Sequence, residues 1–310
     1  MRIFAWHVHG SWMTAFVQGG HEYVVPVVEN RGADGRGRAM TWTWPQNVSE
    51  RSPADLATFK PDIIILQRPH EYELVRSWMH LEPGIDVPAV YVEHNAPQGE
   101  VNSMRHPAAQ WPGVHIVHVT NFNKLFWDCG ERPTRVIEHG IVDPGYRYTG
   151  EVAACAVVIN EPQRRARVTG TDLLNEFASR VPVELFGMGA GARGGYENLP
   201  QERLHQEIAR RRVYLHPIRW TSLGLSLIEA MHLGMPVVAL ATTEVPEAVP
   251  DGTGIISTNV RTLVESLEQL LEDPERCKEL GRNGRSYART RYGLERFLRD
   301  WDRLFQEIVC

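Results

Sequence analysis

The chain has 310 residues, of which 43% are apolar and 23% charged, ordinary usage for a globular protein with room for one large or two ordinary domains. A formal net charge of −5 provides no global basic field for nucleic acid or an anionic lipid surface, so any phosphate it binds must be held locally. Cys129, Cys155, Cys277 and Cys310 lie far apart without a Cys-x-x-Cys pair and read as scattered reduced thiols, and no apolar run approaches the roughly 20 residues of a membrane span.

Residues 2–9 are strand-like and follow Met1 without the apolar region of a signal peptide, so a cytoplasmic protein is expected. Gly10-Ser11 breaks the run, residues 12–18 show a short helical pattern closed by Gly19-Gly20, and residues 23–28 form a second strand. Strand, glycine-bearing turn, helix and strand open a parallel α/β unit. By alternation His7 and His9 share one face of the first strand, either as a metal pair or as two hydrogen-bonding side chains. Ligands of open α/β sheets bind where strands end, so residues 9–12 are a candidate rim of a cleft.

After a polar connection over 29–38, residues 61–66 and 87–92 carry continuous apolar runs, the pattern of strands covered on both faces. The second run ends in Glu93-His94-Asn95-Ala96-Pro97, which places His94 and Asn95 at a strand tip as a structural pair or as ligand contacts. Residues 115–120 form the next strand, where His115 and His118 are an odd number apart and face opposite ways. Asn121 is the expected N-cap of a helix over 123–129. Residues 135–144 read as a strand running into a glycine turn, and the polar segment 145–151 marks a domain boundary.

A second α/β pattern begins with a strand over 154–159 and a loop over 160–170 that holds Arg164, Arg165 and Arg167. A helix over 171–179 and a strand over 183–186 follow. Gly189 to Gly194 contains a literal GxGxxG, yet it runs into Gly195-Tyr196-Glu197-Asn198-Leu199-Pro200 and opens no helix, so it is not read as a dinucleotide fingerprint. A helix over 201–210 and a strand over 213–215 lead to residues 219–240, RWTSLGLSLIEAMHLGMPVVAL. This stretch reads as a Thr-Ser-Leu-Gly turn, a helix bearing Glu229, Gly-Met-Pro and an apolar strand. The N–H groups and positive dipole end of such a helix start favour negative charge, with phosphate the usual occupant. Leu263, Leu267, Leu270 and Leu271 make one helical stripe, and Leu294, Phe297, Leu298, Trp301, Leu304, Phe305 and Ile308 make another; both read as core faces.

Residues 218–240 resemble the signature of the retaining family-4 glycosyltransferases, the glycosyl transferases group 1. In that signature a Glu, a Gly-aromatic-Gly turn and a second Glu precede Ala-Met and Gly-x-Pro-Val-Val. The likeness extends to His94, to Glu138-His139-Gly140-Ile141-Val142-Asp143, to the Gly187-x-Gly189 turn, and to Val245-Pro246-Glu247-Ala248 before Asp251-Gly252. It implies a GT-B fold, α/β throughout, with two Rossmann-like domains facing each other across a cleft. Residues 1–148 would be the acceptor-side domain and 149–291 the nucleotide-sugar domain, with a helix over 292–310 packing back on the first.

The resemblance also implies roles. Glu229 would accept hydrogen bonds from the donor ribose, which an ionised carboxylate does well. Gly224 and Leu225 would offer backbone N–H groups to the diphosphate, with Thr221, Ser222 and Leu223 near the donor sugar; a Cβ at Gly224 would block close approach. Gly187 and Gly189 would line another part of the nucleotide site. His94 would approach the donor sugar, and His9, Gly10, Ser11, Trp12 and Asn95 would face phosphate or acceptor. Arg164 aligns with the family's arginine. Two positions depart from the pattern: Thr221 replaces the first Glu, and Thr169 replaces a Lys, leaving Arg165 or Arg167 as the second cation. The implied activity is retaining transfer of a sugar from a UDP- or GDP-type donor to an acceptor hydroxyl, with neither cofactor nor metal. A sugar-nucleotide epimerase of the same architecture and a catalytically silent nucleotide-sugar binder are the alternatives.

Overall fold

The computed structural model describes residues 1–309, which divide into two compact units, residues 1–142 with 294–309 and residues 143–293. Cys310 lies outside the described residues; Cys129, Cys155 and Cys277 are buried free thiols.

Unit 1 runs β1 (Arg2–Ala5), α1 (Gly10–Phe16), β2 (Glu22–Pro26), β3 (Val48–Arg51), α2 (Pro53–Leu56), β4 (Ile63–Leu66), α3 (Glu71–Met79), β5 (Ala89–Glu93), β6 (Val114–His118), α4 (Asn121–Phe126) and β7 (Thr134–Val136). Its seven strands pair in parallel in the order β3-β2-β1-β4-β5-β6-β7. The order reverses between β1 and β4, so the loops after these two strands flank the crevice where such sheets bind ligands. β4 is Ile-Ile-Ile-Leu with every residue buried, as its unbroken apolar run requires of a strand covered on both faces.

Several local expectations are corrected. β1 ends at Ala5, so His7 and His9 stand in the loop beyond it and share no strand face; His7 Nδ1 is bonded to the Gly37 carbonyl at 3.0 Å. The cap of α4 is Thr120, whose hydroxyl accepts from the Asn123 N–H, while Asn121 is the first helical residue. The edge strand β3 and the helices α2 and α3 have no counterpart in the sequence reading, because Val-Ser-Glu-Arg at β3 carries almost no apolar signal.

Unit 2 runs β8 (Val152–Val158), α5 (Pro162–Arg165), α6 (Leu174–Ala178), β9 (Val183–Phe186), α7 (Gln201–Arg210), β10 (Arg211–His216), α8 (Leu225–Leu233), β11 (Val237–Leu240), α9 (Val245–Ala248), β12 (Ile255–Ser257), α10 (Val260–Glu272) and α11 (Pro274–Arg291). Its five parallel strands lie in the order β12-β11-β10-β8-β9, with the switch point between β8 and β10. Residues 143–150 belong with this unit, and the division falls before residue 148: the N–H groups of Arg147 and Tyr148 donate to Leu233 O at 3.1 Å, and those of Thr149 and Gly150 to Ala209 O.

The chain then returns to unit 1 as α12 (Leu294–Val309), which buries Phe297, Trp301, Leu304 and Phe305 along one face. Phe16 and Trp12 each meet Trp301 edge to face, with ring centroids 5.1 and 5.9 Å from it. These aromatic pairs weld the helix to α1.

Candidate functional site

In unit 2 the loops after β8 and β10 meet at the switch point. α8 is apolar nearly all round and buried from Leu227 to Leu233, which makes it a core helix and fixes its start firmly. Gly234 at φ +84 ends it in the left-handed conformation that favours glycine. At the other end Gly224 is the N-cap, and its carbonyl takes the Leu227 N–H at 3.0 Å. Among the described residues the N–H groups of Leu225 and Ser226 find no acceptor, so the positive end of α8 carries two open donors.

Gly224 itself has an ordinary φ of −71, so its glycine is not required by backbone conformation. A Cβ there would lie 2.5 Å from His216 Cε1 and 3.1 Å from His216 Nε2. His216 ends β10 fully buried, with Nδ1 lacking a partner, and burial pushes it down to about 3. The turn is therefore moulded over a neutral imidazole. Thr221, Gly224 and Leu225 remain half-exposed, while Ser222 and Leu223 are buried.

Glu229 lies one turn along α8, 6% exposed. Its Oε2 accepts from Gln201 Nε2 at 3.0 Å, and His205 Nε2 is 3.4 Å away. Neither Gln201 nor His205 was singled out in the sequence, although their spacing of four on α7 is the signal of a shared helix face.

The three arginines of the β8 loop have different surroundings. Arg164 donates to Glu161 through Nε at 3.0 Å and through Nη2, on the surface. Arg167 reaches Asp172 at 3.4 Å, a carboxylate also held by Arg219. Arg165 is half-buried, and among the described residues no hydrogen bond or ion pair reaches its guanidinium; burial, and then the neighbouring Arg164, lowers its pKa from the usual value. Thr169 is 0% exposed and hydrogen-bonds Thr171 Oγ1 at 2.9 Å, so the residue at the family's lysine position turns into the protein.

The glycine turn after β9 is occupied from within. Gly187 has φ +130, and a Cβ would meet Ile159 O at 2.3 Å, so glycine is needed for packing. Its N–H donates to Tyr196 O, that of Met188 to Asn160 Oδ1, and those of Gly189 and Gly191 to the two oxygens of Glu197, at 2.8 and 3.2 Å. The N–H groups expected to line a nucleotide thus hold a carboxylate of the chain itself. The GxGxxG stretch forms a single 3-10 turn, Gly191–Arg193, and opens no α-helix.

In unit 1, Gln67 follows β4 and donates from Nε2 to Trp6 O at 2.7 Å, leaving its Oε1 to accept from His94 Nε2 at 3.1 Å. The His94 ring lies 4.1 Å from His9, 5.1 Å from Trp12 and 6.1 Å from His139, centroid to centroid. Burial, then His9 and His139, drives His94 well below the usual histidine range, and burial brings His139 to about 3. Both are neutral and suited to hydrogen bonding, with His94 protonated on Nε2 by its bond to Gln67. Arg296 on α12 binds the carbonyls of Glu138 and His139 and so fixes the loop that carries His139.

Asn95 is pinned by its backbone, its N–H donating to Glu93 Oε1 at 2.7 Å and its carbonyl accepting from Trp127 Nε1 at 2.8 Å, and its side chain is exposed. Glu93 is in turn held by His106 at 3.0 Å. His9, Gly10 and Ser11 are half-buried at the loop rim, but Trp12 is 0% exposed. The expectation that Trp12 faces phosphate or acceptor is corrected: its ring is a core residue under α12. Among the described residues no group of three or more His, Cys, Asp or Glu side chains is disposed to hold a metal, and no helix is long and apolar enough to cross a membrane.

Comparison with known proteins agrees with this geometry. Residues 196–287 match the family model of the glycosyl transferases group 1. The chain is 34% identical over 86 residues to a trehalose synthase of Rubrobacter xylanophilus, covering 28% of this chain and 21% of that protein. It is 29% identical over 131 residues to a GDP-mannose-dependent monoacylated alpha-(1-6)-phosphatidylinositol monomannoside mannosyltransferase of Corynebacterium glutamicum, covering 42% and 28%. The chain thus spans about a quarter of the length of these curated relatives. Among solved structures, a sucrose-phosphate synthase of Thermosynechococcus elongatus superposes with a TM-score of 0.74 at 14% identity, over 99% of both chains. Anabaena HepE in complex with UDP superposes with a TM-score of 0.72 at 14% identity, over 99% of this chain and 100% of that one. The fold is GT-B.

Proposed function

We propose that the protein transfers a sugar from a nucleoside-diphosphate donor to an acceptor hydroxyl with retention of configuration. The observation that carries this reading is the pairing, on one helix at the switch point, of open N–H groups at Leu225 and Ser226 with the buried carboxylate of Glu229. Open N–H donors at a helix start suit a diphosphate, and a buried carboxylate one turn on suits the ribose hydroxyls. HepE binds UDP and UDP-glucose, and the mannosyltransferase relative is GDP-mannose-dependent, which supports the reading of a UDP- or GDP-type donor.

As the bond from the anomeric carbon to the β-phosphate oxygen breaks, negative charge grows on the leaving diphosphate. The N–H groups of Leu225 and Ser226 and the guanidinium of Arg165 are the groups of this chain that can meet it without a metal. The acceptor oxygen bonds the same face of the anomeric carbon, and its proton passes to the departing phosphate oxygen. Within unit 1, neutral His94 with Asn95 and the His9–Ser11 rim gathers hydrogen-bonding groups at the switch point of the sheet, a set suited to sugar hydroxyls.

Turnover of UDP- and GDP-sugars by the wild type and by Glu229→Ala tests the reading. A productive donor whose KM rises at least tenfold in the variant is expected; an unchanged KM refutes the ribose assignment. One observation favours a second reading, binding without transfer: Thr169 turns inward, so the family's lysine has no replacement at that position. Release of nucleoside diphosphate only when acceptor is added selects transfer.

A further inference from the structure

Resting on the nucleotide reading of Glu229, the inference concerns what aims that carboxylate. We propose that Gln201 and His205 form a clamp on Glu229 Oε2 that positions the carboxylate for the donor ribose, so that discrimination between ribonucleotides and deoxyribonucleotides depends on two residues acting through Glu229.

The hydrogen-bond chemistry fixes the roles. The Gln201 amide carries two hydrogens; one goes to Glu229 Oε2 at 3.0 Å and the other points at His205 Nε2 at 2.7 Å. To accept it, His205 presents a lone pair at Nε2 and keeps its proton on Nδ1. The 3.4 Å separation of His205 Nε2 from Glu229 Oε2 is then a contact held together by the shared amide. Glu229 decides which way the amide faces, because a flipped Gln201 would set its carbonyl oxygen against a carboxylate oxygen, and His205 takes the tautomer that accepts the second amide hydrogen. The side chains of His205 and Glu229 are only 7% and 8% exposed, so water competes little for these bonds.

Aim matters because the last torsion of a glutamate is broad and roughly two-fold. A carboxylate free to turn can follow whichever ribose hydroxyl is present and loses little when one is missing. With Oε2 committed to the amide, its plane is set and an absent hydroxyl is not made good. The clamp residues are therefore positioning residues, and their signature is a ratio of affinities.

The test is calorimetric titration of the full chain with UDP, 2′-deoxy-UDP and 3′-deoxy-UDP, and with the matching guanosine nucleotides. The wild type is expected to prefer the ribonucleotide to one deoxy form by about tenfold, the worth of one hydrogen bond to a charged group. Gln201→Met and His205→Leu should bring the ratio to within about twofold, while His205→Gln, which can still accept, should restore most of it. Preference retained in folded Gln201→Met and His205→Leu, but lost in Glu229→Gln, overturns the clamp alone. Preference retained in Glu229→Gln, or no binding of any of these nucleotides by the wild type, overturns the ribose reading and the clamp with it. Should either truncation not fold, the His205→Gln ratio decides: wild-type-like discrimination supports the clamp, and collapse refutes the assignment of Nε2 as acceptor.

Discussion

Gly224→Ala isolates the reason for the glycine at the start of α8. A methyl group there would lie 2.5 Å from His216 Cε1, well short of the 3.4 Å at which ordinary contact begins. The backbone is innocent, since φ is −71 and alanine adopts it freely. The cost therefore comes from moving a ring that is fully buried at the end of β10, an overpacking of roughly 1–3 kcal/mol. For a unit of this size each kcal/mol lowers Tm by about 2–4 °C. Thermal unfolding of Gly224→Ala, His216→Ala and the double variant checks it. The double variant is expected to be more stable than the sum of the single losses by at least about 1 kcal/mol, because the cavity left by the imidazole accepts the methyl. A Gly224→Ala protein as stable as the wild type, or strict additivity in the cycle, refutes the steric account and leaves close approach of a ligand as the reason for glycine.

Two further outcomes follow from the site. Arg165→Ala should lower kcat/KM with the productive donor by roughly a hundredfold, the loss seen when one donor to a developing anion is removed; Arg164→Ala, whose guanidinium is engaged by Glu161, should cost less than about tenfold. Steady-state kinetics check the order, and equal losses contradict it. The second concerns pH. Burial holds His118, His139 and His216 near 3 and His94 well below its usual 6.5 in the folded chain, so each gains a proton only on unfolding at mildly acid pH. Stability should be full above about pH 6.5 and fall steadily as pH drops toward 3, with the span from 6.5 to 4.5 belonging to these histidines. A urea midpoint constant across that span would refute their neutral burial.

The central strands were legible because burial on both faces leaves an unbroken apolar run, as in Ile63–Leu66 and Val237–Leu240. The motif from 219 to 240 was legible as turn, helix and strand for the same reason, with Gly224 and Gly234 as its punctuation. Edge strand β3 was not, since Val-Ser-Glu-Arg spends its alternation on polar side chains. Side-chain pairings were the least visible. Nothing in Gly187-Met188-Gly189 foretells that Glu197 fills the N–H groups of that turn, because the partner lies beyond an irregular segment without periodicity. Trp12 looked like a rim residue by its place after Gly10-Ser11, yet the face it buries depends on a helix that begins at Leu294.

That distance along the chain has a consequence for synthesis. Phe297, Trp301 and Phe305 complete the core of unit 1, and Arg296 secures the loop of His139, but they leave the ribosome only after all of unit 2. A nascent chain that has made residues 1–142 therefore exposes Trp12 and Phe16 for as long as the next 151 residues take to translate. At about 5–20 residues per second this is a wait on the order of ten to thirty seconds. During that interval unit 1 is a candidate client for a chaperone that shields aromatic surface, and unit 2 has time to fold before unit 1 closes.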